Sequence, residues 1–155
     1  MPKLDLDAIP QTNATGYPAP FDEPVQGRWY RRLAPECGLK HLRASHVVLK
    51  PGAWSSQRHW HDGLDELLVM IAGEAVLIED SGETIVRPGD VLAWPAGSPD
   101  GHHLQNRSDE DCVFVVASGG EYDSDCGAYS DIDMAFTPEG YFRKDGTRYE
   151  SERIP

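Results

Sequence analysis

His59-Trp60-His61 places two imidazoles two residues apart. In an extended strand alternate side chains share a face, so both rings project one way while Arg58 and Trp60 project the other. Glu66 lies five residues past His61, the wrong parity for one unbroken strand. Asp62-Gly63 between them is a turn signal, which lets Glu66 open the neighbouring strand. Two rings closing one strand and a carboxylate opening the next can meet at one point. A further ring comes from Gly101-His102-His103-Leu104-Gln105-Asn106. Leu104 shares a face with His102, and Gln105 with His103, so an apolar interior turns His102 inward and His103 outward. His59, His61, His102 and Glu66 then form a mixed nitrogen and oxygen donor set. Such a set suits Fe, Mn, Ni, Co, Cu or Zn rather than Ca or Mg. Four protein donors on an ion that accepts six leave room for water or a substrate oxygen, which is the condition for Lewis-acid chemistry. An inward-facing ionised carboxylate needs compensation, and a cation supplies it.

Other side chains could line a pocket around that point. Gln57 shares the parity of His59 and His61, so it either hydrogen-bonds a ligand or lines the wall. Arg43 and Ser45 share the face of Val47 and Leu49. Arg43 therefore either reaches inward to hold an anionic substrate or snorkels at a rim. Trp54 and Trp94 either wall the mouth or pack in the core. His41, His46 and His103 read as surface or rim histidines. Gly52, Gly73, Gly89 and Gly97 read as turn glycines.

The elements that must position these groups are short strands. A chain of 155 residues suits one domain, and its 15 glycines and 12 prolines disfavour a helical bundle. Apolar runs at 28–33, 39–50, 54–61, 66–73, 75–80, 83–86, 91–95, 102–106 and 112–118 are separated by turn signals, with a hairpin at Ser81-Gly82. Strands at this spacing make an all-β sandwich or closed barrel. The run at 66–73 reads as a fully buried strand. Residues 1–27, with five prolines, read as an extended arm. Residues 28–118 form the barrel domain, and 119–155 an irregular tail packing on it, with a hairpin around Asp145-Gly146. Glu121, Asp123 and Asp125 have acidic spacing near that of a calcium loop. The glycine falls one place late at Gly127 and the twelfth position is Ile132, so a calcium loop is rejected.

The net charge of −12 opposes nucleic-acid binding and docking on anionic membranes. It leaves a small anionic substrate open, because a local Arg can override the global field. Cys37, Cys112 and Cys126 are odd in number and scattered without CxxC spacing, so they form no disulfide framework and read as free thiols in a reducing compartment. The first residues carry no apolar, basic leader, and the longest apolar run, 67–72, is too short to cross a bilayer. A soluble cytoplasmic protein is expected.

Two stretches resemble the motifs of the cupins. The first runs Gly52-AWSSQR-His59-W-His61-DGLD-Glu66-LLVMIA-Gly73, with one extra residue before the first His. The second runs Gly89-DVLAW-Pro95-A-Gly97-SPDG-His102-HLQ-Asn106, with two extra residues before its His. The resemblance implies a double-stranded β-helix of the jelly-roll type, one divalent transition metal inside it, and commonly a homodimer. Some members are labelled sugar-phosphate isomerases. Two classes of function stay open. One is a metal-dependent enzyme, of isomerase, decarboxylase or dioxygenase type, acting on a small organic or sugar-like molecule. The other is a non-catalytic barrel that senses or stores a small ligand. A purely structural metal fits less well, because such sites favour Cys.

Overall fold

The computed structural model describes residues 3–151; residues 1, 2 and 152–155 of the expected arm and tail lie outside the described residues. Twelve strands are laid down in chain order: β1 (Arg28–Arg32), β2 (Arg43–Leu49), β3 (His59–His61), β4 (Leu64–Ala72), β5 (Ala75–Glu79), β6 (Gly82–Val86), β7 (Val91–Trp94), β8 (His103–Gln105), β9 (Cys112–Gly120), β10 (Gly127–Tyr129), β11 (Ala135–Thr137) and β12 (Gly140–Phe142). One layer is a five-stranded sheet ordered β1-β2-β9-β4-β7. The facing layer is built from two shorter sheets, β12-β11-β10-β3 and β6-β5-β8. An antiparallel bridge between His59 and His102 stitches these two together. The result is the nearly all-β barrel that the turn spacing implies.

The register follows side-chain parity. In β2, Val47 and Leu49 face inward and are 4% and 0% exposed. They meet Phe114 and Cys112 of β9 across the ladder. With Leu68, Met70, Leu77, Val86 and Leu104 they form the aliphatic core between the layers. Gly73, in a left-handed conformation, ends β4 where a Cβ would strike the backbone of Asp111 and Cys112. No other residue fits there without moving β9.

Three expectations change. The strand expected from residue 54 to 61 shrinks to His59–His61, because Ser55 to Arg58 bend to follow β8. Ser55 N–H reaches the Leu104 carbonyl at 2.8 Å there. Strand β4 is not buried on both sides. Leu68 and Met70 point into the core, while Leu67 and Ile71 are exposed. An antiparallel sheet with one solvated face alternates in this way. Residues 39–42 are exposed and precede β2 rather than belonging to it; a single helical turn, α1 (Leu33–Glu36), fills part of the link from β1.

The arm and tail meet behind the second layer. Strand β10 pairs with β3, opposing Gly127 to His61 and Tyr129 to His59. Gly127 is obligatory at this contact, since a Cβ would collide with the Trp60 carbonyl and the Phe136 ring. Tyr129, Met134, Phe136 and Tyr141 of the tail make a second buried cluster, against which Tyr17 and Phe21 of the arm pack. The hairpin around Asp145-Gly146 forms, with Gly146 N–H on the Arg143 carbonyl at 2.9 Å and a bridge between Phe142 and Arg148.

Candidate metal centre

His59 and His61 share the inward face of β3, as parity requires. Asp62 and Gly63 then carry the chain from one layer to the other, and Glu66 enters the same space from β4 of the facing sheet. One donor atom each from His59, His61 and Glu66 lies within 4.8 Å of the other two. His102 joins them through the seam between β3 and β8. His102 N–H donates to the His59 carbonyl at 2.9 Å, and its Nε2 stands 2.9 Å from Glu66 Oε2. His59, His61 and Glu66 are thus brought together, with His102 against Glu66 beside them.

The hydrogen-bond network assigns the tautomers of two rings. His59 Nδ1–H donates to the Gln57 carbonyl at 2.9 Å. His61 Nδ1–H donates to the Asp125 carboxylate at 2.7 Å. With both rings neutral, both Nε2 atoms are left as lone-pair acceptors, and they face each other at 3.2 Å. Two acceptors cannot satisfy one another; a cation between them can. Two nitrogens each about 2.0–2.1 Å from one ion, at tetrahedral or octahedral angles, stand about 2.9–3.4 Å apart. The side chains present fit a divalent metal on this ground. Metal-binding histidines usually donate their other N–H to a carbonyl or carboxylate, as both do here.

His102 is held differently. Its Nε2 faces the Glu66 carboxylate, its Nδ1 is buried without a hydrogen-bond partner, and its ring stacks on Trp94 with centroids 3.8 Å apart and planes 5° apart. The indole is fixed in turn by Trp94 Nε1–H donating to Glu79 at 2.7 Å. Burial drives the His59 pKa down to about 3, helped by the neighbouring His61, so this ring stays neutral as metal binding requires. Burial alone would raise the Glu66 pKa, but the His102 hydrogen bond and the adjacent imidazoles bring it down to about 2.

An aromatic wall from the tail backs the cluster. Tyr129 stacks on His59 at 5.6 Å, and Phe136 meets the edge of His61 at 5.1 Å. In front lies a cavity of about 320 Å³, whose walls include His59, Glu66, His102, Trp94 and Phe114. Arg58, just before β3, ties the chain there to the tail through Asp131 at 2.7 Å.

The sequence-predicted pocket residues divide. Trp94 lines the cavity. Gln57 does not: its side-chain amide donates to the Phe21 carbonyl at 2.8 Å, because the chain before β3 bends and parity no longer applies. Arg43 does not reach the cavity either. It sits exposed at the start of β2, with its guanidinium 4.1 Å over the Tyr122 ring. His103, expected on the surface, is buried, with Nδ1–H on the Ser56 carbonyl at 2.8 Å and Trp54 against its edge. Burial lowers its pKa. Strand β8 is covered on both faces, so turning His102 inward does not send His103 to solvent. Sequence reasoning missed Asp125, which lies 64 residues from the ring it holds, and Arg28 and Arg32 of β1, which line the cavity.

A cupin-domain family model matches residues 45–118. A crystal structure described as a sugar phosphate isomerase of the cupin superfamily from Silicibacter pomeroyi is 37% identical, with a TM-score of 0.89 over 99% of this chain and 100% of that one. The chain belongs to the cupin superfamily. The polyketide cyclase RemF of Streptomyces resistomycificus shares the fold at 17% identity, with a TM-score of 0.61 over 78% of this chain and 80% of that one. A cupin conserved-barrel protein from Salinispora arenicola shares it at 22% identity and a TM-score of 0.55, over 77% and 87% respectively. Among curated proteins nothing matches the sequence. Among the described residues no helix is long and apolar enough to cross a membrane.

Proposed function

We propose that this cupin is a metal-dependent enzyme that acts on a small oxygen-bearing organic molecule at one divalent transition metal (Zn, Fe, Mn or Ni) held by His59, His61, Glu66 and His102. The observation that carries the reading is the pair of acceptor nitrogens facing each other at 3.2 Å, each locked in that role by its own Nδ1–H bond. A bound ion supplies Lewis-acid polarisation of a carbonyl or hydroxyl oxygen. The protein does the rest. Asp125 orients His61, Gln57 orients His59 through its carbonyl, and Glu66 brings the one carboxylate of the donor set. Trp94, Phe114 and Leu104 give the cavity apolar walls that shield the reacting end of a ligand from water. The 37% identical relative described as a sugar phosphate isomerase makes isomerisation of a sugar-like molecule the first reaction to screen.

The outer face of the five-stranded sheet exposes Leu67, Ile71 and Val91, which supports a homodimer closed over that face. With its three cysteines free, the protein suits a reducing, cytoplasmic setting.

Elemental analysis of protein purified without chelator, followed by reconstitution with Fe(II), Mn(II), Ni(II) and Zn(II), tests the reading. About one equivalent per chain is expected, falling sharply in His59→Ala and Glu66→Ala. Failure of all four metals to bind would remove the metal. Loaded protein that binds small ligands saturably but turns none over would move the reading to a non-catalytic sensor.

A further inference from the structure

The geometry points to an oxyanion subsite, built by Arg28 and Arg32 of β1 with Ser45 of β2, that holds the anionic end of the substrate while its oxygen-bearing end meets the His and Glu cluster. The inference rests on the proposed reading of that cluster as the reacting end, and it adds the substrate class: a small organic molecule with a terminal phosphate or carboxylate.

The two arginines flank one tyrosine on one face of an edge strand. Arg28, Tyr30 and Arg32 are two residues apart and all line the cavity that also contains His59, Glu66 and His102. Their partners across the ladder, Leu49, Val47 and Ser45, have inward parity. The guanidinium carbons lie 5.3 Å and 5.8 Å from the Tyr30 ring centre, so one aromatic plate carries both cations. Tyr30 is itself anchored, its hydroxyl donating to the Ala14 carbonyl of the arm at 3.1 Å.

Neither arginine is explained by an ion pair. Among the described residues, no carboxylate lies within salt-bridge distance of Arg28 or Arg32, although Arg31, Arg58, Arg87 and Arg107 all have one. Among the described residues Arg43, Arg143 and Arg148 likewise have none, but those three do not line the cavity, whereas Arg28 and Arg32 do. Arg28 donates through Nη1 to the Ser55 carbonyl at 2.9 Å, which aims the side chain, while its Nε is buried with no acceptor. A buried N–H without a partner is destabilising, so Arg28 is poorly accounted for as a stabilising residue. Two forked guanidiniums and a serine lining one cavity match the charge and donor chemistry of an oxyanion. Glu66, the carboxylate among the cavity's lining residues, is already engaged by His102.

Isothermal titration calorimetry on the full chain tests this, with inorganic phosphate, glycolate and uncharged glycerol as probes, before and after chelator treatment. Metal content is measured in parallel for every variant. The wild type is expected to bind phosphate or glycolate, and not glycerol, with or without metal. Tighter phosphate identifies a phosphoryl end, and tighter glycolate a carboxylate end. Arg32→Gln, which removes an exposed group with no backbone bond, should weaken the anion about tenfold or more. Arg28→Lys should weaken it while leaving the fold and the metal content unchanged. Anion binding that survives in the Arg28→Lys/Arg32→Gln double variant overturns the assignment, as does wild-type protein that loads metal yet binds neither anion. Wild-type protein that takes up no metal would sink the metal reading instead, and anion binding to that same protein would still support the subsite.

Discussion

The inward face of the barrel is dry at one end and polar at the other, although the same strands build both. Along β4 it reads Glu66, Leu68, Met70; along β2 it reads Ser45, Val47, Leu49; along β9 it reads Ser118, Val116, Phe114, Cys112. The polar members gather at one end of each strand. The aliphatic end is closed by packing, and the other opens on a cavity and a cluster of titratable groups. One end supplies the rigidity, and the other carries buried polar groups, the unpartnered Nδ1 of His102 among them.

Substitutions at the two ends should therefore have different signatures. Met70→Ala, at a 2% exposed core position, should lower unfolding free energy by about 2–5 kcal/mol in denaturant titrations. Metal per folded molecule should stay unchanged. Glu66→Gln should instead lose most metal affinity, together with the stability that its low pKa gives the metal-free fold above about pH 4.5; metal affinity left intact would erase the contrast. Adding a competent metal at 100 times its Kd should stabilise the wild type by about 2.7 kcal/mol in thermal or chemical unfolding, and His61→Ala by much less. Asp125→Asn comes next. It weakens the orientation of His61 without removing a donor, so metal affinity should fall about tenfold to a hundredfold in competition titrations. His102→Ala should sit below His59→Ala in the same assay, because His102 alone of the three rings has no partner at Nδ1.

The smallest effect concerns acid. Burial, with help from Arg31, holds His46 on β2 below the usual histidine pKa. Its contribution is complete above the unfolded value of about 6.5 and is lost as pH falls, because the unfolded chain takes up the proton first. His46→Gln should slightly flatten the decline in stability below pH 6.5.

Much of this was legible locally. Parity set His59 beside His61, Asp62-Gly63 marked the change of strand, and Leu104 pointed His102 inward. The failures have one physical source, which is depth. Arg43 and the inward residues of β2 share a parity, yet Arg43 lies beyond the end of the barrel on Tyr122, while Arg28 and Arg32 on the adjacent edge strand reach the cavity. Periodicity gives a side and says nothing about distance along the axis. His103 failed because a strand covered on both faces has no surface side. Asp125 could not be found from spacing, since its contact depends on the tail folding back along β3; the small residues Gly127 and Ala128, which allow that close pairing, were the available signal.

The seam between β3 and β8 has a mechanical consequence. The two residues whose backbones clasp the short sheets together, His59 and His102, are also two of the proposed metal ligands. Anything gripped by those rings draws the hem of the barrel shut, so the amide protons of residues 59 and 102 should exchange with deuterium more slowly whenever the guest is at home.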